Sequence, residues 1–516
     1  MYSLSLEPLF EAKRKQRVMK AMILAKSIEM MANAGLTYEQ LNAFSDLYHS
    51  DPKNLLAQTT CCQIALVDAL VDRKKRFTSS HMFNTKLSIE GKATNQKSSG
   101  RCWIFAMLNC MRLPLMKSLK VSELELSQNY LFYWDKIERC HYFLTSMIDL
   151  AKKQEPLQGR LAQFLLKDLI IDGGRQWDML VNLVKKYGVV PKSVYPESSN
   201  SEGTVNMNKL LRAKLRGYAQ EIYEFINDGK RSDDELYQRE LEMMSSIYHI
   251  VTTCLGTPPT TFEYEYYDSS KEYHKIGPIT PLAFYEKHVK PVYNVDEKVC
   301  LVHDPRASHP YNKLYTVEYL GNIVGSRETL YNNQEISVLK KAAYDSIKAD
   351  EAKFGIMDLS ILNTELFFNS TWPCQNKASR LEYGESLMTH AMVFTGVHVE
   401  KSLSLNTNQT AGQQQQQTPK PSNDSNHVSS DEQGTLNNNE LARNNSDNLV
   451  CVKWRVENSH GDDKGDKGYL IMSDDWFNEY LYEVVVDKKH LSKSVLTVLD
   501  QEPIRLVAWD PMGALA

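Results

Sequence analysis

The sequence predicts an α+β fold in which helices dominate the first half of the chain and strands are concentrated near the C-terminus. Three observations lead to this prediction. Residues 1–70 are rich in good helix formers, residues 205–250 carry apolar residues at helical spacing, and the stretches 392–399 and 449–457 are typical of buried or half-buried strands. At 516 residues the chain is also long enough for more than one structural unit.

Among the early elements, the composition of residues 9–31 predicts a helix, Gly35 ends it, and LTYEQLNAF follows as the start of another. Farther along, Gly229 is a helix stop, and Ser232 with Glu235 forms a capping box for a helix that runs toward Ile250. These signals predict two consecutive helices over residues 205–250.

The later elements alternate between strands and one more helix. Residues 260–268 and 298–305 have strand composition, and Thr280 followed by Pro281 marks a helix start. Residues 403–448 are rich in Gln, Asn and Ser, with five consecutive glutamines, and are too polar to offset the entropy of ordering. We therefore predict a disordered insertion in a loop that joins two adjacent strands.

Charge and cysteine content indicate which partners and which compartment the sequence favours. The chain has 60 basic and 64 acidic residues, a net charge of -4 that gives no support to nucleic-acid binding. Its nine cysteines form no CxxC pair, a usage typical of a reducing compartment. Without a signal peptide or an apolar run long enough to span a bilayer, the sequence predicts a cytoplasmic protein with no membrane partner.

The stretch TNQKSSGRCWIFA (94–106) places a cysteine where a polar, glycine-containing loop enters a helix. At Cys102, free backbone N–H groups and the positive end of the helix dipole favour a thiolate. We expect Pro114 to break this helix. The alternative for Cys102 is a buried structural cysteine, and position alone does not separate the two interpretations.

A reactive thiolate needs a base, and the base needs an orienting group. His390 lies where a loop enters a strand, next to the small Ala391, and Asn458 lies at the end of another strand before Ser and Gly. An Asn carbonyl can accept from one imidazole nitrogen and leave the other facing sulfur. Taken alone, His390 could be a surface or core histidine and Asn458 a turn residue.

Together these residues resemble the papain-like cysteine peptidases. The order Cys, His, Asn agrees, and so do the glutamine six residues before the cysteine and the downstream Gly468–Tyr469. Within that family QKSSGRCWIFA, ELSQNYLFYWDK, IDGGRQWDM, GESLMTHAM and AWDPMGALA resemble segments of the bleomycin hydrolases. The resemblance implies a papain-like two-lobed fold, with the nucleophile helix in a helical lobe and His and Asn in a β-barrel-like lobe.

The resemblance also implies a role for each matching residue. Cys102 would be the nucleophile, His390 the base and Asn458 its orienting partner. The side-chain amide of Gln96 and the backbone N–H of Cys102 would bind the oxyanion. In the same way, Gly173 and Gly174 match the stretch whose backbone pairs with substrate, for which a structural turn is the alternative. No metal and no organic cofactor is implied.

Two departures from the family pattern stand out. Papain-like enzymes usually carry tryptophan after the Asn-Ser pair, covering the Asn–His hydrogen bond, whereas this chain has His460, so Trp476 or another ring would have to supply the cover. The interval between Cys102 and His390 is 288 residues (390 minus 102), about twice the 130 to 150 of compact papain-like enzymes. An inserted, mainly helical region between the two halves of the site accounts for the excess.

In the bleomycin hydrolases the inserted region is a hook that contacts other subunits, and the C-terminal tail lies in the active-site cleft. The resemblance therefore implies a homohexamer, with the Ala516 carboxylate meeting the amino group of the substrate. We predict five segments: an N-terminal helical extension (1–85), a helical lobe (86–200), the hook-like insertion (201–365), a β lobe interrupted at 403–448 (366–505) and a C-terminal arm (506–516).

The resemblance therefore implies a cysteine-type aminopeptidase that acts on peptides or aminoacyl amides by a Cys-His-Asn mechanism. The alternative is a binding or scaffold protein that keeps the fold but has little peptidase activity, with nucleic acid as one candidate partner. A Cys/His metal site is the weakest interpretation, because the candidate ligands lack short paired spacing.

Overall fold

The computed structural model describes residues 35–70, 80–168, 176–229, 232–357, 375–401 and 449–513. The chain divides into two compact units, Met1–Arg76 with Leu362–Cys374, and Phe77–Ile361 with Gln375–Ala516. The predicted helix at 9–31 and the predicted insertion at 403–448 lie outside the described residues. No helix in the described part of the chain combines the length and the apolar character needed to cross a membrane.

The described part of the first unit is helical, as the sequence predicts. It contains α1 (Tyr38–His49), α2 (Pro52–Gln63) and α3 (Leu66–Ala69). A reciprocal capping box starts α1, because the Thr37 hydroxyl accepts from the Gln40 amide at 3.2 Å and the Gln40 side chain accepts from the Thr37 amide at 2.9 Å.

The second unit combines helices with a ten-stranded sheet. Its helices are α4 (Cys102–Leu119), α5 (Gln128–Lys152), α6 (Arg160–Asp168), α7 (Trp177–Tyr187), α8 (Ser199–Glu202), α9 (Val205–Asp228), α10 (Asp233–Leu255), α11 (Pro281–Phe284), α12 (Ile336–Lys348), α13 (Lys377–Glu382), α14 (Asp474–Tyr480) and α15 (Lys493–Leu496). Short π and 3₁₀ turns lie at Tyr285–Val289, Val295–Glu297, Lys488–His490 and Thr497–Asp500.

The strands are β1 (Thr85–Lys86), β2 (Phe262–Tyr267), β3 (Tyr273–Ile279), β4 (Lys298–Val302), β5 (Lys313–Val317), β6 (Tyr331–Asn333), β7 (Lys353–Met357), β8 (His390–Lys401), β9 (Leu449–Glu457), β10 (Tyr469–Ser473), β11 (Leu481–Asp487) and β12 (Ile504–Leu506). The sheet runs in the order β10-β9-β8-β7-β11-β4-β6-β5-β12, β1 also pairs with β8, and β2 and β3 form a separate hairpin. The fold is thus α+β, as predicted.

The two predicted helices of the 205–250 region are confirmed as α9 and α10. Gly229 ends α9 in the left-handed conformation at a φ of 63°, and the predicted capping box of Ser232 and Glu235 opens α10. Both helices pack against α5, the long helix that follows the nucleophile helix. Residues 298–333, which belong to the insertion predicted at 201–365, supply β4, β5 and β6 to the central sheet.

The prediction that Pro114 ends the nucleophile helix is wrong. Helix α4 continues through Pro114 to Leu119, and its C-cap, Lys120, adopts the left-handed conformation at a φ of 54°. Leu113, Leu115 and Met116 around the proline are buried. Their burial offsets the cost of about 3 kcal/mol that a proline imposes on a helix interior.

The predicted pair of adjacent strands is confirmed as the antiparallel pair β8 and β9, in which Lys401 lies opposite Leu449. The other ends of these strands carry His390 and Glu457, which directly precedes Asn458. Helix α4 packs against β8. This packing brings the start of the cysteine helix to the part of the sheet where the histidine strand begins.

The central sheet also contains a fully buried carboxyl group. Glu483 lies on β11 between β4 and β7, at a bulge next to Leu481, and its exposed fraction is 0%. Neither of its carboxyl oxygens has a hydrogen bond of normal geometry among the described residues. Burial raises the pKa of Glu483 to about 8, the Cys300 thiol opposes that rise, and Asp178 adds to it.

Candidate active site

The candidate nucleophile is the first residue of helix α4, as the sequence predicts. Arg101 is the N-cap residue, and Cys102 is 5% exposed. The backbone amides of Ala391, Trp103 and Cys102 itself adjoin its sulfur and favour the thiolate. Two of these donors are free N–H groups of the first helical turn, and the third belongs to the residue after His390. The sulfur therefore lies at the junction of α4 and β8.

The candidate base and its orienting residue are in direct contact. The Nε2 atom of His390 lies 2.8 Å from Oδ1 of Asn458, and each residue is 8% exposed. Because the carboxamide oxygen can only accept, His390 carries a proton on Nε2. Its Nδ1 atom is then the nitrogen left to exchange a proton with the thiol. Sequence reasoning named these residues, and the structure brings them together.

His460 lies over this pair, where papain-like enzymes usually have tryptophan. Its ring centroid is 5.2 Å from that of His390, and its Nδ1 atom lies 3.3 Å from Nδ2 of Asn458. Trp476, the other ring considered from the sequence, packs against Tyr480 at a centroid distance of 5.3 Å. An exposed imidazole therefore lies beside the Asn–His hydrogen bond.

Gln96 is held beside the same loop by backbone pairing. Its amide N–H donates to the carbonyl of Ser459 at 2.8 Å, and Asn95 forms a β-bridge with His460. The side-chain Nε2 donates to the carbonyl of Ser99 at 2.6 Å, which fixes the amide group and uses one of its two hydrogens. The second N–H is left for another acceptor, as the predicted oxyanion role of Gln96 requires.

A buried polar network links the three segments that carry these groups. Glu457 accepts from Arg112 at 2.8 Å and from Asn109 at 2.9 Å, and Asn109 also donates to the Thr94 hydroxyl at 3.0 Å. The exposed fractions of Glu457, Arg112 and Asn109 are 1%, 2% and 1%. Thr94 precedes Gln96 by two positions, Glu457 precedes Asn458, and the other two lie on the cysteine helix.

Sequence reasoning missed this network. The available signal was Arg112, a lone charge inside the largely apolar run WIFAMLNCMRLPLM. A charge in such a run requires a buried partner, because an unpaired buried guanidinium is too costly. Burial raises the pKa of Glu457 to about 7, and the Arg112 guanidinium opposes that rise.

Burial also dominates the protonation of the candidate pair. It raises the pKa of the Cys102 thiol, against the opposing effect of the nearby backbone amides, and it lowers the pKa of His390, against the bond to Asn458. The sequence led us to expect a thiolate stabilised by the helix start. In the structure, burial disfavours a charge on either group.

Three predicted site residues, Gly173, Gly174 and Ala516, lie outside the described residues. Two positions after Gly174 in the sequence, Nε2 of Gln176 lies 3.8 Å from the sulfur of Met388, on the segment that leads into His390. Among the described residues, one group with the spacing of metal ligands consists of Asp268, Glu272 and His274 at the β2–β3 turn. Hydrogen bonds within that turn already account for its arrangement.

The chain is similar to several known proteins along nearly their full length. The chain is 48% identical to the bleomycin hydrolase of Mus musculus over 94% of this chain and 100% of that protein. It is 36% identical to aminopeptidase C of Listeria monocytogenes over 93% of this chain and 99% of that protein. The crystal structure of PepW from Lactobacillus rhamnosis superposes with a TM-score of 0.80 at 35% identity, covering 94% of this chain and 100% of that one.

These matches confirm the papain-like α+β fold. The model of the Peptidase C1-like family matches residues 35–410 and 441–513, the greater part of the chain. With a Cys-His-Asn site at the junction of a helix and a sheet, and with relatives matched along nearly their full length, this chain belongs to the Peptidase C1-like family.

Proposed function

We propose that this protein is a cysteine-type aminopeptidase that removes N-terminal residues from peptides and related amides. One observation carries the proposal: the 2.8 Å hydrogen bond between His390 Nε2 and Asn458 Oδ1, which leaves Nδ1 of His390 to exchange a proton where β8 begins beside the cysteine helix. Relatives named bleomycin hydrolase and aminopeptidase C support the same activity.

In the proposed reaction, the proton of the Cys102 thiol moves to Nδ1 of His390, and the sulfur attacks the scissile carbonyl carbon. The carbonyl oxygen becomes an oxyanion that accepts from the Gln96 side chain and the Cys102 amide. When the carbon–nitrogen bond breaks, His390 returns the proton to the leaving amine. A water molecule then hydrolyses the thioester, with His390 acting first as base and then as acid.

Restriction to N-termini would come from the end of the chain. The structure fixes the tail up to Gly513: Tyr331 donates to the Met512 carbonyl at 2.9 Å, and Asp510 pairs with Arg306 at 2.8 Å. We propose that the three residues beyond Gly513 reach into the cleft and that the Ala516 carboxylate binds the amino group of the substrate. Gly173 and Gly174 would pair with the substrate backbone, because glycines allow close approach.

Assembly and location are part of the same proposal. Tyr237, Leu241 and Tyr248 share one face of α10 and are 58%, 46% and 47% exposed, which favours contact between copies in a homohexamer. The eight cysteines within the described residues are free thiols, as expected in a reducing cytoplasm. Sedimentation of wild type and of a Leu241→Glu variant tests the assembly: we expect a hexamer that the charge weakens, and a wild-type monomer would refute the proposal.

The activity is tested with fluorogenic aminoacyl amides, unblocked and N-acetylated, on wild type and Cys102→Ala. We expect hydrolysis of the unblocked amides by wild type and a loss of at least about 1000-fold in the variant. Equal rates in the two proteins would refute the Cys102 mechanism. Rapid cleavage of acetylated substrates by wild type would refute the aminopeptidase restriction alone.

Deleting residues 514–516 tests the role of the tail. Because the deletion leaves the Tyr331 and Arg306 anchors in place, the fold should be unaffected. We expect acetylated peptides to become substrates and the KM for unblocked amides to rise. A shortened protein with the substrate preference of wild type would show that the tail does not gate the cleft.

A further inference from the structure

The residue that departs most clearly from the family pattern makes a specific polar contact in the site. His460 follows Asn458 by two positions, and its backbone is fixed on both sides, by the bridge to Asn95 and by the bond from the Gly461 amide to the Thr94 carbonyl at 2.9 Å. Unlike His390 and Asn458, its side chain is exposed. The ring is therefore held in place and remains in contact with bulk protons.

The direction of each hydrogen bond follows from the chemistry of the amide. Oδ1 of Asn458 accepts from Nε2 of His390 at 2.8 Å, so the amino group Nδ2 is the part of the amide that faces His460. An amino group can only donate. At 3.3 Å, Nδ1 of His460 must therefore be the acceptor, which requires the neutral ring with its proton on Nε2.

Protonation of His460 turns this contact into two facing donors. The bond is then lost, or the Asn458 amide rotates so that its oxygen faces His460. After that rotation, the Asn458 amino group would face Nε2 of His390, and His390 would have to carry its proton on Nδ1. That nitrogen could no longer take the proton of the Cys102 thiol.

Building on the function proposed above, we propose that His460 is a positioning residue: its neutral ring holds the Asn458 amide in the orientation that His390 needs, and its protonation releases that amide. The charged and titratable groups that face it are His390 and Lys464. Burial, then the charges of His390 and Lys464, lowers the pKa of His460. Release therefore occurs on the acid side of the ordinary histidine range.

The test compares His460→Gln, whose side-chain oxygen can accept from Asn458 at every pH, with His460→Leu, which can neither accept nor titrate. The rate ratio between pH 5 and pH 7 is measured with an unblocked aminoacyl amide. His249→Gln, at an exposed histidine on α10, is the matched control.

We expect the ratio of the rate at pH 5 to that at pH 7 to rise at least about threefold in His460→Gln relative to wild type and to the control. In His460→Leu we expect kcat at pH 7 to fall with little change in KM, because the Asn458 amide is no longer fixed. Superimposable pH profiles for wild type and His460→Gln would overturn the proposal, and so would a His460→Leu variant that matches His460→Gln in kcat.

A second measurement does not depend on turnover. The pH dependence of Cys102 alkylation by iodoacetamide, corrected with Cys102→Ala for other thiols, reports the thiolate–imidazolium pair. We expect the acid limb of this profile to move to lower pH in His460→Gln, and an unmoved limb would contradict the inference. An active Cys102→Ala would refute the proposed function itself, whereas an inactive Cys102→Ala with unmoved His460 profiles would refute only the role of His460.

Discussion

Replacing Glu483 with glutamine should change how the stability of this protein depends on pH. The carboxyl group is fully buried on the central strand β11, and burial raises its pKa from 4.5 to about 8. Between those two values the folded state holds a proton that the unfolded chain has released. The folded state therefore loses stability as pH rises through this window.

The size of the effect follows from proton linkage. One proton bound in the folded state but not in the unfolded state changes the free energy of unfolding by about 1.4 kcal/mol per pH unit. From pH 5 to pH 7, which lies between the two pKa values of Glu483, the wild-type contribution is a loss of roughly 2 to 3 kcal/mol. A glutamine in the same place does not titrate, so Glu483→Gln should lack this loss.

The assay is urea denaturation followed by tryptophan fluorescence at pH 5, 6 and 7. The quantity of interest is the difference in free energy of unfolding between variant and wild type at each pH, because other titrating groups cancel. Glu382→Gln, at an exposed carboxyl on α13, is the matched control and should show a constant difference. A constant difference for Glu483→Gln as well would refute the reasoning.

Other perturbations test the site and its support. Arg112→Met should lower the free energy of unfolding by about 3 to 5 kcal/mol, because Glu457 loses its buried counter-charge, and the double variant Arg112→Met/Glu457→Met should recover part of it in urea denaturation. Gln96→Ala should lower kcat by about 100- to 1000-fold with little change in KM in steady-state assays; a larger change in KM than in kcat would contradict the oxyanion role. Gly468→Ala should reduce activity and thermal stability, since its φ is 89° and a Cβ atom would lie 2.2 Å from that of Ala93; unchanged values would contradict this.

Sequence patterns predicted the elements that carry the site, because burial and capping both produce recognisable residue patterns within a few consecutive positions. The strand-like stretch 449–457 coincides with β9, and the change from polar loop to apolar helix predicted Cys102 at the start of a helix, where α4 begins. Gly229 likewise predicted the end of α9, and the capping box of Ser232 and Glu235 predicted the start of α10. In each case the residues that decide the structure are neighbours in the chain.

Contacts between segments that are far apart in the sequence could not be predicted from such local patterns. The pairing of Asn95 with His460 rests on a single bridge, and the contact between Arg112 and Glu457 joins residues 345 positions apart. Pro114 was misjudged for the same reason. Its local penalty is real, but the buried residues around it belong to a tertiary core that no local window contains.

The two ends of the β8–β9 pair differ in role: one end carries His390, and the other is joined by the long connection between the strands. Lys401 and Leu449 face each other at one end, about 35 Å of strand away from His390. The ladder of backbone bonds between them fixes the register at the catalytic end, whatever length of chain joins the far end. A reporter domain or affinity handle grafted between these two residues would therefore reach the protein surface without passing strain to the chemistry, which makes this junction a practical attachment point for following the enzyme in cells.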